Sequence, residues 1–239
     1  GNRKELILPL GGEQDRPVAR CREAVTVIRQ LFCGEMVQYQ SDTLIVDGIE
    51  LEFPAHPNIP IYIAGRGPLM LQVAGELADV AVIGGLVSPE GLEFAIEHVR
   101  KGSKRAGRNF DDLDIMSWIT CYITNDKARW IDQYRPSAAH ILAGAPKGVF
   151  EAMKLDTSFM NELKEIYGAG GSEAAARIVP DEVVASLSAI GTADEVVEKL
   201  QLAADLGVSQ VGILVNPTNI DESRAFLERF ADDVMPAFV

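Results

Sequence analysis

The 239-residue sequence holds only three cysteines, three histidines and two tryptophans, and positive charge is in the minority. Each scarcity excludes something. Cys21, Cys33 and Cys121 are an odd number without metal-ligand spacing, which argues against a disulfide framework or a zinc site and for reduced thiols in a cytoplasmic protein. His56, His98 and His140 have no mutual spacing that suggests a metal site or a triad, and His98 falls inside a helical stretch. No uninterrupted apolar run approaches the ~20 residues that a membrane-spanning helix needs. Gly1-Asn2-Arg3-Lys4-Glu5 leads into only a short apolar patch, unlike a signal peptide. Twenty-two basic residues face 35 acidic ones, a net charge of −13. That balance argues against nucleic acid and anionic membrane as partners, because both are bound through phosphate neutralisation. The whole-molecule field also does not steer a polyanionic ligand. A phosphate site here has to work locally, through helix ends and one or two nearby arginines.

What the sequence does contain is an alternation of apolar strands and amphipathic helices. Its most informative stretch runs from Ile59 through Ala64-Gly65-Arg66-Gly67-Pro68 to Asp79. It reads as a buried strand, a glycine turn and a helix entered through proline, with Pro60 near the strand's start, where a missing N–H is tolerated. That order aims the bare N–H groups of a helix N-terminus beyond the strand's carboxyl end, a ready anion site whose usual occupant is phosphate. Gly65 and Gly67 permit close backbone approach, and Pro68 gives up an N–H that would be unpaired anyway. Arg66 could add a charge-assisted contact. The plainer alternative is a tight strand-to-helix link carrying an ordinary exposed arginine.

Upstream, Val18, Ala24, Val25, Ile28, Leu31 and Phe32 form a helical stripe over residues 17–33, closed by Gly34. Residues 37–53 read as a hairpin that turns at Asp47-Gly48. Downstream, residues 80–83 form a strand ending at Gly84-Gly85, a pair that either borders the site or simply turns the chain. Ser88-Pro89 opens a helix that ends in Arg100, Lys101, Lys104, Arg105 and Arg108, a cluster suited to a helix C-terminus. Residues 115–124 form a third strand. Within it Cys121 is expected in the core, and either Trp118 or Tyr122 could face a pocket. Asn125 or Asp126 caps the helix that follows. Residues 145–190 read as short helices around a break at 168–171, Thr192 and Glu195 as a capping box, residues 210–215 as the last strand and 220–230 as the last helix. Repeated βα units predict a parallel sheet buried on both faces. Four strand–helix pairs, with strands near residues 61, 81, 119 and 213, stand against the eight of a closed barrel, so the chain reads as the second half of something larger, with ~100 residues expected before it.

These residues carry a family resemblance. Ile59 to Asp79 resembles the luciferase-like superfamily of flavin- and deazaflavin-dependent (β/α)8 enzymes, above all the branch that includes methylenetetrahydromethanopterin reductase. Gly1-Asn2 with Leu10-Gly11 resembles the end of a Gly-x-Gly-Asn loop after the fourth barrel strand, and Arg16-Pro17 through Glu35 the helix that follows. Asn125-Asp126-Lys127 through Ala139 resembles the segment after the seventh strand, and Val179 through Val208 the approach to the eighth. The resemblance implies an α/β fold, a TIM (β/α)8 barrel lacking its first strands, with residues 1–239 as a single partial domain of units five to eight plus a helical insertion. It implies a site at the carboxyl ends of the strands, with Gly65, Arg66, Gly67, Pro68, Asn2 and Gly84 binding the cofactor. Arg66 departs from some relatives, which carry an uncharged residue there. Asn2 stands where some deazaflavin-dependent relatives place a catalytic carboxylate; an amide cannot donate a proton near neutral pH, so the catalytic residues are unassigned.

The activity implied is that of an F420-dependent oxidoreductase transferring a hydride between the deazaflavin coenzyme F420 and a small organic substrate, with no metal, in a homodimer. One alternative keeps the fold but uses FMN and oxygen, as a luciferase-like monooxygenase. Another belongs to a different class: a non-catalytic fragment or subunit that needs a partner to complete the barrel.

Overall fold

The structure, a computed structural model, describes residues 7–13, 15–53, 55–215 and 220–238. Helix α1 (Pro17–Phe32) is entered through proline and buries Val25 and Val27. Gly34 follows it at φ +77°, the left-handed conformation that glycine supplies at a helix end. The antiparallel hairpin β1 (Val37–Gln40) and β2 (Ile45–Ile49) packs Val37 and Val46 with Val27 into a small separate core.

The hairpin turns at residues 41–44, not at Asp47-Gly48 as expected. The Ser41 hydroxyl accepts from the N–H groups of Thr43 and Leu44 at 3.1 and 3.0 Å, and the Ser41 N–H donates to the Leu44 carbonyl at 2.9 Å. Such local side-chain bonds stabilise a turn without glycine. Asp47 and Gly48 instead oppose Gln38 together, a bulge in which Gly48 takes φ +65°.

The main body follows as β3 (Tyr62–Gly65), α2 (Pro68–Leu77), β4 (Val80–Gly84), α3 (Pro89–Arg105), β5 (Asp114–Ile123) and α4 (Lys127–Gly144). Then come α5 (Lys147–Ala152), α6 (Met160–Ala176), α7 (Asp181–Ser186), β6 (Ser188–Gly191), α8 (Ala193–Asp205), β7 (Gln210–Leu214) and α9 (Ile220–Asp233). Every pairing among β3 to β7 is parallel, as the repeated βα pattern requires. With ten residues, β5 serves three neighbours: its first half pairs β4, Met116 to Thr120 pair β7, and Thr120 to Ile123 pair β6. Among the described residues this sheet is open; it does not close into a barrel.

Strand β6 corrects the expected count of four strands, since residues up to 190 read as helical. All four of its residues are buried, and Ser-Ala-Ile-Gly is too short and too small to show a periodicity of its own. Its start is fixed from α8, where the Lys199 ammonium donates to the carbonyls of Ala185 and Ser188, both at 2.6 Å. The other signals appear where they were read. The Thr192–Glu195 capping box opens α8, Asp126 caps α4, and Gly171 breaks α6 at φ +73°.

Helices α2 and α3 meet at backbone contact. A Cβ on Gly75 would run into the Val99 carbonyl, and one on Gly102 into the Gln72 carbonyl, so only glycine permits this approach. Around the contact, the nearly buried Glu76 carboxylate lies between Arg22 of α1 and Arg105 of α3. Asp79 accepts from Arg29 and from the Ile61 N–H, both at 2.7 Å, which pins the approach to β3. Replacing Gly102 with alanine should therefore destabilise the fold by about 1–3 kcal/mol through overpacking, although alanine is the better helix former. Urea titration of the two proteins reads the loss.

Candidate active site at the carboxyl rim of the sheet

Strand register sets the rim. Gly65 pairs Ile83, and Gly84 pairs Trp118. Arg66, Gly84 and Trp118 therefore stand level at the carboxyl ends of three parallel strands, the end where such sheets bind ligands. A cavity of about 750 Å³ opens there. The end of β3 contributes Gly65 and Arg66, β4 with the residue after it Gly84 and Gly85, β5 Trp118 and Thr120, and β7 Leu214. Helix α4 adds Tyr134, Ser137 and His140, and the segment after the Gly171 break adds Ser172 and Glu173.

Of the residues expected to bind a cofactor, Gly65, Arg66 and Gly84 line this cavity. Gly67 is the N-cap of α2 and Pro68 its first residue; neither is among the lining residues, and the Cα face of Gly67 is turned towards Pro146. Asn2 lies outside the described residues. Trp118, 43% exposed, is the aromatic of β5 that faces the cavity. Tyr122 is buried and stacks on Trp130 with ring centroids 3.5 Å apart.

The Arg66 side chain runs sideways along the rim. Its Nε donates to the Gly84 carbonyl at 2.7 Å, and burial pulls its pKa below the ordinary arginine value, against a smaller opposing pull from Tyr134. The floor beneath it is glycine by necessity. Gly85 has φ +68°, and a Cβ there would come within 2.9 Å of Ile141 Cδ1. The Tyr134 hydroxyl donates to the Leu187 carbonyl at 3.3 Å. Burial pushes this phenol's pKa up, while the Thr120 hydroxyl and the Arg66 charge hold it back. His140 Nδ1 and the Tyr167 hydroxyl are hydrogen-bonded at 2.9 Å, which ties the α4 wall to α6.

Tyr134 and Ser137 line the cavity without having been singled out in the sequence, and His140, set aside there for want of metal or triad spacing, joins them. Their three-residue spacing was the available signal, but on a helix it is also the spacing of a core stripe. Arg66 and the hydroxyls of the lining suit an anionic group and Trp118 a flat apolar body, with the Glu173 carboxylate in the same lining. The lining residues offer a guanidinium, hydroxyl donors, an exposed indole and glycines where a side chain would fill the cradle.

Comparison with known proteins gives the family of the chain. The profile of the luciferase-like monooxygenase family matches residues 2–210. The chain belongs to that family. This luciferase-like chain is 31% identical over 231 residues to the 5,10-methylenetetrahydromethanopterin reductase of Archaeoglobus fulgidus, a match covering 95% of the chain and 68% of the relative. It is 28% identical to an F420-dependent glucose-6-phosphate dehydrogenase of Nakamurella multipartita, over 96% of the chain and 63% of the relative. Its structure matches that of the coenzyme F420-dependent tetrahydromethanopterin reductase of Methanopyrus kandleri with a TM-score of 0.76 at 28% identity, covering 93% of the chain and 64% of the other. The chain thus spans 63 to 68% of the length of these relatives.

Cys121 of the luciferase-like chain is fully buried on β5, facing away from the cavity, and burial pushes its thiol pKa up from 9.0 to about 12, with a weaker opposing pull from Lys199. Nucleophilic cysteines have the opposite shift. Because the folded state holds this proton more tightly than the unfolded chain, Cys121 contributes stability that is full below about pH 9 and is lost as pH rises towards 12. Two measurements check this: thiol labelling in native buffer should modify exposed Cys33 and spare Cys121, and replacing Cys121 with alanine should flatten the fall in melting temperature above pH 9.

Proposed function

We propose that this luciferase-like protein is an oxidoreductase that uses coenzyme F420 to move a hydride to or from a small organic substrate. The observation that carries the reading is the cavity at the carboxyl rim of the parallel sheet, on a chain 31% identical to a methylenetetrahydromethanopterin reductase. The coenzyme supplies the hydride chemistry, and the protein's task is to bind, orient and shield.

The chain's own residues support that task. At the Gly65–Pro68 turn, the extended N-cap Gly67 and the proline at the first position of α2 leave helix N–H groups without intrahelical acceptors, which suits the phosphate-bearing tail. That helix end favours an anion by roughly 0.3–2 kcal/mol. Gly84 leaves room on the rim beside the Arg66 guanidinium, Gly65 lets α2 start close behind it, and Arg66 adds positive charge in a protein of net charge −13. Trp118 and Leu214 offer apolar surface for a ring system, and both are more than two-fifths exposed.

The second reading, FMN and oxygen, draws on the family profile, whose name is that of a monooxygenase. Binding spectra separate the two. A deazaflavin absorbs at the violet edge, whereas FMN adds a blue band. Purified protein dialysed against both cofactors should retain the deazaflavin; retention of FMN alone would overturn the F420 reading.

A further inference from the structure

Three half-buried arginines face carboxylates: Arg22 pairs Glu76, Arg29 pairs Asp79, and Arg135 pairs Asp132 and Asp181. A fourth, Arg108, donates to the Gly75 carbonyl and lines no cavity described above. Arg66 has no carboxylate within ion-pair distance among the described residues. Glu173, the carboxylate that shares its cavity, is exposed and makes no ion pair with it. An arginine keeps its proton even when desolvated, and a desolvated cation without a counter-charge is costly.

The fold nonetheless holds this side chain in one place. The bond from Nε to the Gly84 carbonyl, 2.7 Å long, uses one edge of the guanidinium. Nη2 lies 3.4 and 3.7 Å from where the Cβ atoms of Gly84 and Gly85 would stand. The charge is therefore carried across the rim to the end of β4, away from the N-terminus of α2. Ser137 of α4 lines the same cavity and is a neutral hydrogen-bond donor.

We propose that Arg66 forms a second oxyanion-binding position in the cavity, separate from the α2 N-terminus, that takes a carboxylate or phosphate group. The terminal nitrogens of the guanidinium are the donors, and a planar fork suits two-point binding of either group. Two sources share this chemistry: further acidic groups on the cofactor's tail, or an acidic substrate. The first source rests on the F420 reading above; the second stands without it.

The test compares wild type with Arg66→Met, which removes the charge but keeps most of the volume, and with Arg66→Lys, which keeps the charge but loses the fork. Calorimetry measures F420, a deazaflavin trimmed to its ribityl chain, and malonate and inorganic phosphate. Loss of F420 affinity in Arg66→Met by roughly tenfold to a hundredfold, with the trimmed deazaflavin unaffected, assigns the position to the cofactor tail. An equal loss confined to malonate or phosphate assigns it to the substrate. In either case Arg66→Lys should recover only part of the affinity. Unchanged affinity for every probe in an Arg66→Met protein with a wild-type circular dichroism spectrum overturns the proposal. If wild type binds neither deazaflavin, the F420 reading fails while the malonate and phosphate measurements still decide the role of Arg66.

Discussion

Parallel pairing of β3, β4 and β5 is the constraint from which the site follows. Each parallel connection must return across the sheet, so α2 and α3 pack against the strands and all the carboxyl ends collect at one rim. Register then sets the heights. Because Gly65 is level with Ile83, the next residue, Arg66, is level with Gly84 and within reach of its carbonyl. A one-residue slip would turn each strand's side chains to the opposite face and take Trp118 out of the cavity.

Close backbone approach is the second device, and it recurs at two depths. Beneath the sheet, Gly75 and Gly102 let α2 and α3 touch, which keeps the βα units narrow. At the rim, Gly84 and Gly85 clear the space into which the Arg66 guanidinium reaches and over which a ligand can lie. The same residue type works as a packing surface in one place and as a cradle in the other. The difference comes from what stands opposite: a helix carbonyl in the first case, a charged side chain and an open cavity in the second.

Much of this was legible along the chain. The helix entered at Pro68, the Ser88 and Thr192 caps, the Gly34 stop and the break at Gly171 are local features, and local geometry put each where its residue type suggested. The failures share a cause. Residues 188–191 become a strand because β5 offers them a free edge and Lys199 holds their start. Asp47-Gly48 lost the hairpin turn to Ser41, whose hydroxyl satisfies two turn amides, and became a bulge instead. In both cases a partner distant in sequence, or a side-chain bond that no pattern announces, outweighed the local propensity.

By itself the sequence determined the order of βα units, their caps and breaks, and the glycine-rich turn before Pro68, because each depends on backbone preferences within a few residues. It also carried the family, through an ordered set of short stretches. Only the tertiary structure decided that Gly65, Arg66 and Gly84 line one cavity with Tyr134, Ser137 and His140 of α4, and that Trp118 rather than Tyr122 faces it. Only the tertiary structure, too, left Arg66 without a carboxylate while Arg22, Arg29 and Arg135 acquired one. Charge pairing and desolvation depend on which groups meet across the fold, and no spacing along the chain encodes that.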